Sequence, residues 1–214
     1  MLKEGLLKLG LDCGRISPLL EKYIEEIELF NPAYGLVKVK DRNELIVKHI
    51  LDSLAPVDII RSLLPAAPEK PAARQIADVG SGAGLPGIPL AVCLDSAEFT
   101  LVERMGRRAG FLRDVQALLG LANVRIEEAE MEKSNPGRFD LVVFRAFRPL
   151  EPPILKGLLR LLAPGGILAA YKGRRASIEE EMDIVRGCMA LPWDIFPLNV
   201  PFLEEERHLV LIRP

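Results

Sequence analysis

The sequence predicts an α/β fold, with a mainly parallel β-sheet covered by helices and a helical segment in front of it. From residue 75 onward, short apolar runs alternate with stretches of helical periodicity, as in parallel strands joined by crossover helices. Residues 1–64 show helical periodicity alone. The last two apolar runs are separated only by a loop, which predicts a closing hairpin with one antiparallel strand.

The N-terminal segment predicts a helical cap. Apolar residues recur every three or four positions from Ile16 to Phe30, which forms one stripe of an amphipathic helix. We expect Asn31 and Pro32 to end this helix, because proline lacks the N–H that a helix needs. A second helix fits residues 43–64. The chain then divides into a cap (1–64), a stiff proline-rich linker (65–74) and a sheet domain (75–214).

The sheet domain contains seven predicted strands. They lie at residues 75–79, 98–102, 123–127, 139–144, 166–171, 192–198 and 207–212. Helices are predicted between them at residues 86–94, 106–119, 150–162 and 176–188.

Composition narrows the class of protein. Of 214 residues, 49% are hydrophobic and 27% charged, which supports a packed core and argues against a disordered chain. The net charge of -2 does not by itself indicate a nucleic-acid-binding protein. Three cysteines without CxxC spacing predict neither a disulfide framework nor a metal site. No apolar run is long enough to cross a membrane and the start of the chain is unlike a signal peptide, so we expect a cytoplasmic protein.

A glycine-rich turn, Asp78 to Gly87, follows the first predicted strand and leads into a helix. Glycines allow a tight turn and let a ligand lie against bare backbone. Residues 82–87 match GxGxxG, so a nicotinamide dinucleotide site has to be considered. The acid at Asp78 argues against that site, because it would repel a pyrophosphate.

S-adenosylmethionine (SAM) suits this turn better, since SAM carries a sulfonium and an ammonium group and no phosphate. Glu103 ends the second strand about 20 residues past the turn, where an acid accepts hydrogen bonds from both hydroxyls of a ribose. We therefore predict the seven-stranded, Rossmann-like sheet of SAM-dependent methyltransferases. The predicted cofactor-binding residues of the turn and the second strand are Asp78, Gly80, Gly82, Gly84, Leu85 and Glu103.

The methyl acceptor is indicated by what the sequence lacks. None of the three cysteines lies in the Pro-Cys loop that activation of cytosine C5 requires. The Asn/Asp-Pro-Pro-aromatic motif of exocyclic amine acceptors is missing after the fourth strand, where Arg145 begins a different sequence. A ring nitrogen such as guanine N7 loses no proton on methylation and needs positioning rather than a general base.

Basic residues collect at the predicted strand ends despite the balanced net charge. An Arg/Lys rim there suits a phosphate-rich acceptor, and an aromatic side chain among them could stack on a base. The predicted RNA-binding residues are Arg107, Arg108, Phe147, Lys172, Arg174 and Arg207.

Several motifs together resemble one family. They are Asn31-x-Ala33-Tyr34-x-Leu36, His49-Ile50-Leu51-Asp52-Ser53, the turn with its Leu-Pro-Gly-Ile-Pro ending, Arg107-Arg108 before Phe111-Leu112, Phe139-Asp140, Arg145-Ala146-Phe147, Lys172-Gly173 and Glu206-Arg207-His208-Leu209. Over about residues 15–212 the chain resembles the bacterial 16S rRNA guanine-N7 methyltransferases, also called glucose-inhibited division protein B.

The resemblance implies a SAM-dependent enzyme whose acceptor is 16S rRNA or the small ribosomal subunit. It places SAM contacts on Gly80, Leu85, Met131, Glu132 and Arg145, with Glu132 near the adenine edge. Arg145 is expected to position the reactants, with no general base and no metal. We expect a monomer with no membrane partner.

Two alternatives remain open from sequence. One is a SAM-dependent enzyme with another acceptor, such as tRNA or a small molecule. The other is a non-catalytic RNA- or ribosome-binding protein on the same fold. His49 and Asp52 lie three residues apart on one helical face, and we favour an interaction that holds the cap on the sheet over a contact with SAM.

Overall fold

The computed structural model describes residues 1–64, 73–145, 150–187 and 191–214. These residues form one seven-stranded sheet in the order β3-β2-β1-β4-β5-β7-β6. The strands are β1 Arg74–Val79, β2 Ala97–Val102, β3 Val124–Glu127, β4 Phe139–Arg145, β5 Leu162–Lys172, β6 Trp193–Leu198 and β7 Arg207–Ile212. The first five run parallel, and β7 pairs antiparallel with both β5 and β6, so the fold class and the C-terminal hairpin are confirmed.

The four helices predicted in the sheet domain are present, but the single helix predicted over residues 43–64 is divided by a π-helical turn and by a turn at residues 55–56, where Pro56 lies. The described helices are α1 Leu2–Lys8, α2 Cys13–Tyr34, α3 Arg42–Leu45, α4 Asp52–Leu54, α5 Val57–Leu63, α6 Gly87–Cys93, α7 Gly106–Leu119, α8 Pro152–Leu161 and α9 Arg175–Arg186. A π-helical turn, Ile46–Leu51, joins α3 to α4, and a short 3₁₀ turn spans Met131–Lys133. None of these described helices is long and apolar enough to cross a membrane.

The end of α2 differs from the prediction. Asp12 caps its start by accepting a hydrogen bond from the Arg15 N–H, but Pro32 lies inside the helix and does not end it. The helix continues to Tyr34 and ends at Gly35, whose φ of 58° is the left-handed conformation that terminates helices. Proline in the last turn removes one hydrogen bond without preventing the final residues from staying helical.

Alternate residues of the strands face two separate layers. Ile76, Leu101 and Leu209 pack with apolar side chains of the cap and of α6 and α7 in one cluster. Ala77 and Val142 face the opposite side, where α8 and α9 cover the sheet. The cap is therefore continuous with the core on one face of the sheet.

The strand order reverses at β1, because β2 lies on one side of it and β4 on the other. Open α/β sheets bind ligands at such a point, in the crevice beyond the carboxyl ends of the strands. Some sequence predictions fall outside the described residues: most of the linker (65–72), and Phe147 and Cys188.

Candidate functional site

The glycine-rich turn is fixed to the neighbouring strand and to a buried acid. The backbone N–H groups of Gly80 and Ser81 donate to the Val102 carbonyl. Asp78 Oδ2 accepts hydrogen bonds from Ser81 Oγ at 2.6 Å and from the Gly87 N–H at 2.9 Å. Burial raises the pKa of Asp78 to about 6, against hydrogen bonds that lower it. Asp78 lines neither of the cavities described below, so it supports the turn from beneath.

The glycines of the turn have different surroundings. Gly80 and Gly82 both have positive φ, and a Cβ on Gly82 would point into open space, its nearest neighbour being the Gly80 carbonyl oxygen at 3.9 Å. A Cβ on Gly84 would approach Ile88 at 2.6 Å and the Tyr23 hydroxyl at 3.1 Å. Gly84 therefore faces packed interior, and a role for it in ligand binding would be indirect.

Glu103 at the end of β2 is bound to the same turn. Its Oε2 accepts from the Gly82 N–H at 2.9 Å, and its Oε1 accepts from the Met105 N–H at 2.8 Å. The side chain is buried, with 4% of the residue exposed. Each oxygen of a carboxylate accepts about two hydrogen bonds, so one position on each remains for a ligand hydroxyl.

A cavity of about 350 Å³ opens beside Glu103. It is lined by Val79, Gly80, Val102, Glu103, Arg104, Met105, Arg108, Ala129, Glu130, Met131 and Glu132. Of these lining residues, Met131 is buried and Glu132 is exposed. Arg160 holds this segment in place, since its Nη2 donates to the carbonyls of Met131, Glu132 and Ser134.

A second, larger cavity of about 1050 Å³ lies between the cap and the carboxyl ends of the strands. Its cationic residues are Lys38, Lys48, Arg108, Arg145, Lys172 and Arg207, and it also contains Gly82, Leu85, His49, Asp52 and His208. Gly80 and Arg108 line both cavities, so the two spaces meet at the glycine-rich turn.

Arg145 at the end of β4 joins the cap to the sheet. Its Nη1 donates to Asp52 Oδ2 at 2.8 Å and to the Lys48 carbonyl at 3.1 Å, and its Nη2 lies 3.0 Å from His49 Nδ1. Arginine only donates, so His49 Nδ1 accepts and the imidazole is neutral. Burial, followed by the Arg145 charge, lowers the pKa of His49 to about 4. This network supplies the contact between cap and sheet that the sequence favoured for His49 and Asp52.

Five of the six predicted RNA-binding residues lie in the described part of the chain, and their side chains differ in how far they are engaged. Arg108 makes one long contact, from its Nη2 to the Gly35 carbonyl at 3.4 Å. Lys172 is ion-paired with Glu181, and Arg207 with Asp52 and Glu205, so both cations are already engaged. Arg107 and Arg174 are exposed, and within the described part of the chain their side chains have no partner.

Among the residues of the larger cavity that sequence reasoning did not predict as site residues are Lys38, Lys48 and His208. The His208 Nδ1 donates to the Gly173 carbonyl. The two lysines lie on the cap, and no local pattern indicates that a loop and a helix about 100 residues before β4 face its end. Among the described residues, no group of histidine, cysteine and acidic side chains could hold a metal ion.

Comparison with known proteins gives one family. The family model for rRNA small subunit methyltransferase G matches residues 16–210. Ribosomal RNA small subunit methyltransferase G of Treponema pallidum (strain Nichols) is 45% identical over 201 residues, covering 92% of this chain and 85% of the relative. The protein of the same name from Cellvibrio japonicus is 40% identical over 216 residues, covering 100% and 94%.

Solved structures match the fold at low sequence identity. A SAM-dependent methyltransferase from Aquifex aeolicus has a TM-score of 0.58 at 16% identity, covering 89% of this chain and 97% of that one. TYW2 from M. jannaschii, solved in complex with AdoMet, has a TM-score of 0.51 at 13% identity, covering 74% and 75%. At these identities the likeness shows that the fold is shared.

Proposed function

Because the chain belongs to the family of rRNA small subunit methyltransferase G, we propose that it transfers a methyl group from SAM to N7 of a guanine in 16S rRNA. The observation that carries the proposal is the meeting of two cavities at the glycine-rich turn. One cavity suits an adenosine, and the other is wide and cationic enough to admit a nucleotide.

The smaller cavity fits the adenosine part of SAM. Glu103 keeps hydrogen-bonding capacity for the two ribose hydroxyls, and Met105 and Met131 offer apolar surface for the adenine ring. The open space over Gly82 lets the rest of SAM continue toward Leu85 and Arg145 in the larger cavity. The residues present therefore fit the cofactor.

The side chains around the larger cavity position reactants and do not remove a proton. SAM, when bound, supplies an electrophilic methyl group on a sulfonium. Guanine N7 would supply a lone pair and would release no proton, so the residues of this chain would have to orient the base against the methyl group and not deprotonate it. His49 Nδ1 is occupied by Arg145, and Asp52 is paired with Arg145 and Arg207, so neither is free to act as a base. Alignment is then the main contribution of Arg145 and its partners.

We further propose that RNA is bound by exposed cations around the mouth of the larger cavity. Lys38, Arg107 and Arg174 are exposed, and no partner engages their side chains among the described residues. Lys172 and Arg207 belong to the same rim as ion-paired residues, and Phe147 remains a proposed stacking residue. We also propose that the protein acts as a monomer in the cytoplasm, on ribosomal subunits.

The RNA surface predicts a salt dependence. The double variant Lys38→Gln/Arg174→Gln should bind 16S rRNA more weakly, with a plot of log affinity against log salt shallower by about two units, because each phosphate contact contributes about one. The control is Lys156→Gln on α8, since Lys156 is exposed on the opposite face of the sheet. An unchanged salt slope in the double variant would show that RNA binds to another surface of the protein.

The activity is tested by transfer of tritiated methyl from SAM to small ribosomal subunits from cells that lack the enzyme, followed by mapping of the modified base. We expect one N7-methylguanine in 16S rRNA. Naked 16S rRNA and tRNA serve as parallel acceptors. Label in tRNA alone would support another acceptor, and SAM binding without transfer to any RNA would support a non-catalytic RNA-binding protein.

A further inference from the structure

Arg108 is a cation of the larger cavity that takes no part in the ion pairs around Arg145. The other half-buried cations of the larger cavity are all ion-paired. Lys48 pairs with Glu44 and Glu205, Arg145 and Arg207 both pair with Asp52, and Lys172 pairs with Glu181. Lys38 is unpaired among the described residues, but it is exposed and lines the larger cavity only. Arg108 has no acidic partner in the described chain and lines both cavities.

One edge of the Arg108 guanidinium, formed by Nε and Nη2, makes few hydrogen bonds. Its Nε is buried and has no hydrogen-bond partner among the described residues. Its Nη2 makes one contact, with the Gly35 carbonyl at 3.4 Å, which is longer than an ordinary N–H···O bond of about 2.9–3.0 Å. Nε and Nη2 point in the same direction and form the fork that binds a carboxylate through two parallel hydrogen bonds.

We propose that Arg108 binds the α-carboxylate of the methionine part of SAM through its Nε and Nη2. The inference rests on the proposed SAM site, because the adenosine cavity fixes one end of the cofactor and Arg108 lies where that cavity meets the larger one. A carboxylate is a stronger acceptor than the Gly35 carbonyl and displaces the long contact. The position of Arg108 where the two cavities meet favours this ligand over an RNA phosphate, which would approach from the solvent-facing mouth of the larger cavity.

The carboxylate also balances charge. SAM brings a sulfonium and an ammonium into a cavity that already contains six cationic residues and one buried acid, Asp52. Pairing the carboxylate with Arg108 gives the anionic end of the ligand a partner without disturbing the Asp52–Arg145 pair.

The test is calorimetric and needs no turnover. Wild type, Arg108→Gln and Arg108→Lys are titrated with S-adenosylhomocysteine and with S-adenosyl-3-thiopropylamine, which lacks only the carboxylate. Arg108→Gln should weaken S-adenosylhomocysteine binding roughly 10- to 100-fold, as expected for a hydrogen bond between charged groups. It should leave the affinity for the decarboxylated ligand within about twofold, which also shows that the variant is folded. Arg108→Lys should lie between, because lysine binds a carboxylate as a point charge and not through a fork.

Arg113→Gln is the matched control, since Arg113 lies on the same helix, is exposed and lines neither cavity. It should leave both affinities unchanged. Equal losses for both ligands in Arg108→Gln, or no loss for either, would overturn the assignment. If affinity for S-adenosylhomocysteine is kept while RNA affinity falls with a shallower salt slope, Arg108 is a phosphate contact. Failure of the wild type to bind either ligand would instead count against the proposed function.

Discussion

Gly82 and Gly87 lie five residues apart in one turn, yet a side chain at each would meet different surroundings. A Cβ on Gly82 would enter open space above the turn. A Cβ on Gly87 would clash with Leu101 and approach Asp78 Oδ2 at 2.6 Å. The first glycine leaves room for a ligand, and the second allows close packing of α6 on the strands.

Substitutions at these two glycines should therefore separate binding from stability. Gly82→Val should lower S-adenosylhomocysteine affinity more than about tenfold by filling the cavity, with a cost of about 1–2 kcal/mol in unfolding free energy for a side chain at positive φ. Gly87→Ala should cost about 2–3 kcal/mol through overpacking. Urea denaturation and calorimetry measure the two effects. Wild-type affinity in Gly82→Val would refute the binding site.

His49 makes stability depend on pH. Its pKa is about 4 in the folded protein, against an ordinary histidine pKa of 6.5, so the unfolded chain binds more protons between those values. The contribution of neutral His49 is fully present above about pH 6.5 and is lost as pH falls toward 4. Asp78 acts in the opposite direction, because its raised pKa makes the folded state bind more protons between 3.8 and about 6.

Comparing the stability of wild type with that of the variant His49→Asn isolates the contribution of the histidine. The stability of wild type minus that of His49→Asn should fall by on the order of 2–3 kcal/mol between pH 7 and pH 4, since Asp78 is present in both. Asparagine keeps an acceptor for Arg145 but does not titrate. Urea midpoints at half-unit pH intervals measure the difference, and parallel profiles would contradict a buried, neutral His49.

At the scale of elements, two tyrosines connect the cap to the sheet domain. The Tyr23 hydroxyl of α2 donates to the Ala83 carbonyl in the glycine-rich turn at 2.6 Å. The Tyr171 hydroxyl of β5 donates to the Ser53 carbonyl of the cap at 2.9 Å. Both side chains are buried, and burial raises both pKa values well above 10. Only the first bond reaches the turn.

Tyr23→Phe should affect the turn as well as the fold. Losing the hydroxyl leaves the Ala83 carbonyl unsatisfied and should cost about 1–2 kcal/mol in unfolding free energy. A less ordered turn should also weaken S-adenosylhomocysteine binding roughly 2- to 10-fold. Tyr171→Phe is the control, with a similar loss of stability and a smaller change in affinity. Equal effects on affinity would show that the Tyr23 bond does not order the turn.

The elements themselves were largely predictable, because apolar periodicity in β1 to β7 reports burial directly. The π-helical turn Ile46–Leu51 was not, since the apolar periodicity of so short a segment does not distinguish it from an α-helix. π-helical turns are frequent at functional sites, and here the Lys48 carbonyl within the turn accepts from Arg145, 97 residues later. The pairing of Asp52 with Arg145 is likewise a product of tertiary structure that spacing does not encode.

For the whole molecule, the cap and the sheet share one hydrophobic core. Leu20, Ile24 and Leu51 of the cap are fully buried in the same cluster as Ile76 and Leu101 of the strands. The division into a cap (1–64) and a sheet domain (75–214) therefore describes the order of elements along the chain. It does not separate two cores, so the parts should unfold together.

Removing the cap tests that expectation. A fragment of residues 73–214 would expose the apolar face formed by Ile76, Leu101 and Leu209, and it would lose the hydrogen-bond partners that Arg145 has in the cap. We expect this fragment to aggregate or to lack cooperative unfolding and S-adenosylhomocysteine binding, whereas the full chain unfolds in one transition. Adding residues 1–64 as a separate peptide should restore near-UV circular dichroism and binding. A fragment that folds and binds the ligand alone would instead show that the cap is a separate domain. Its role would then be in binding the methyl acceptor and not in completing the hydrophobic core.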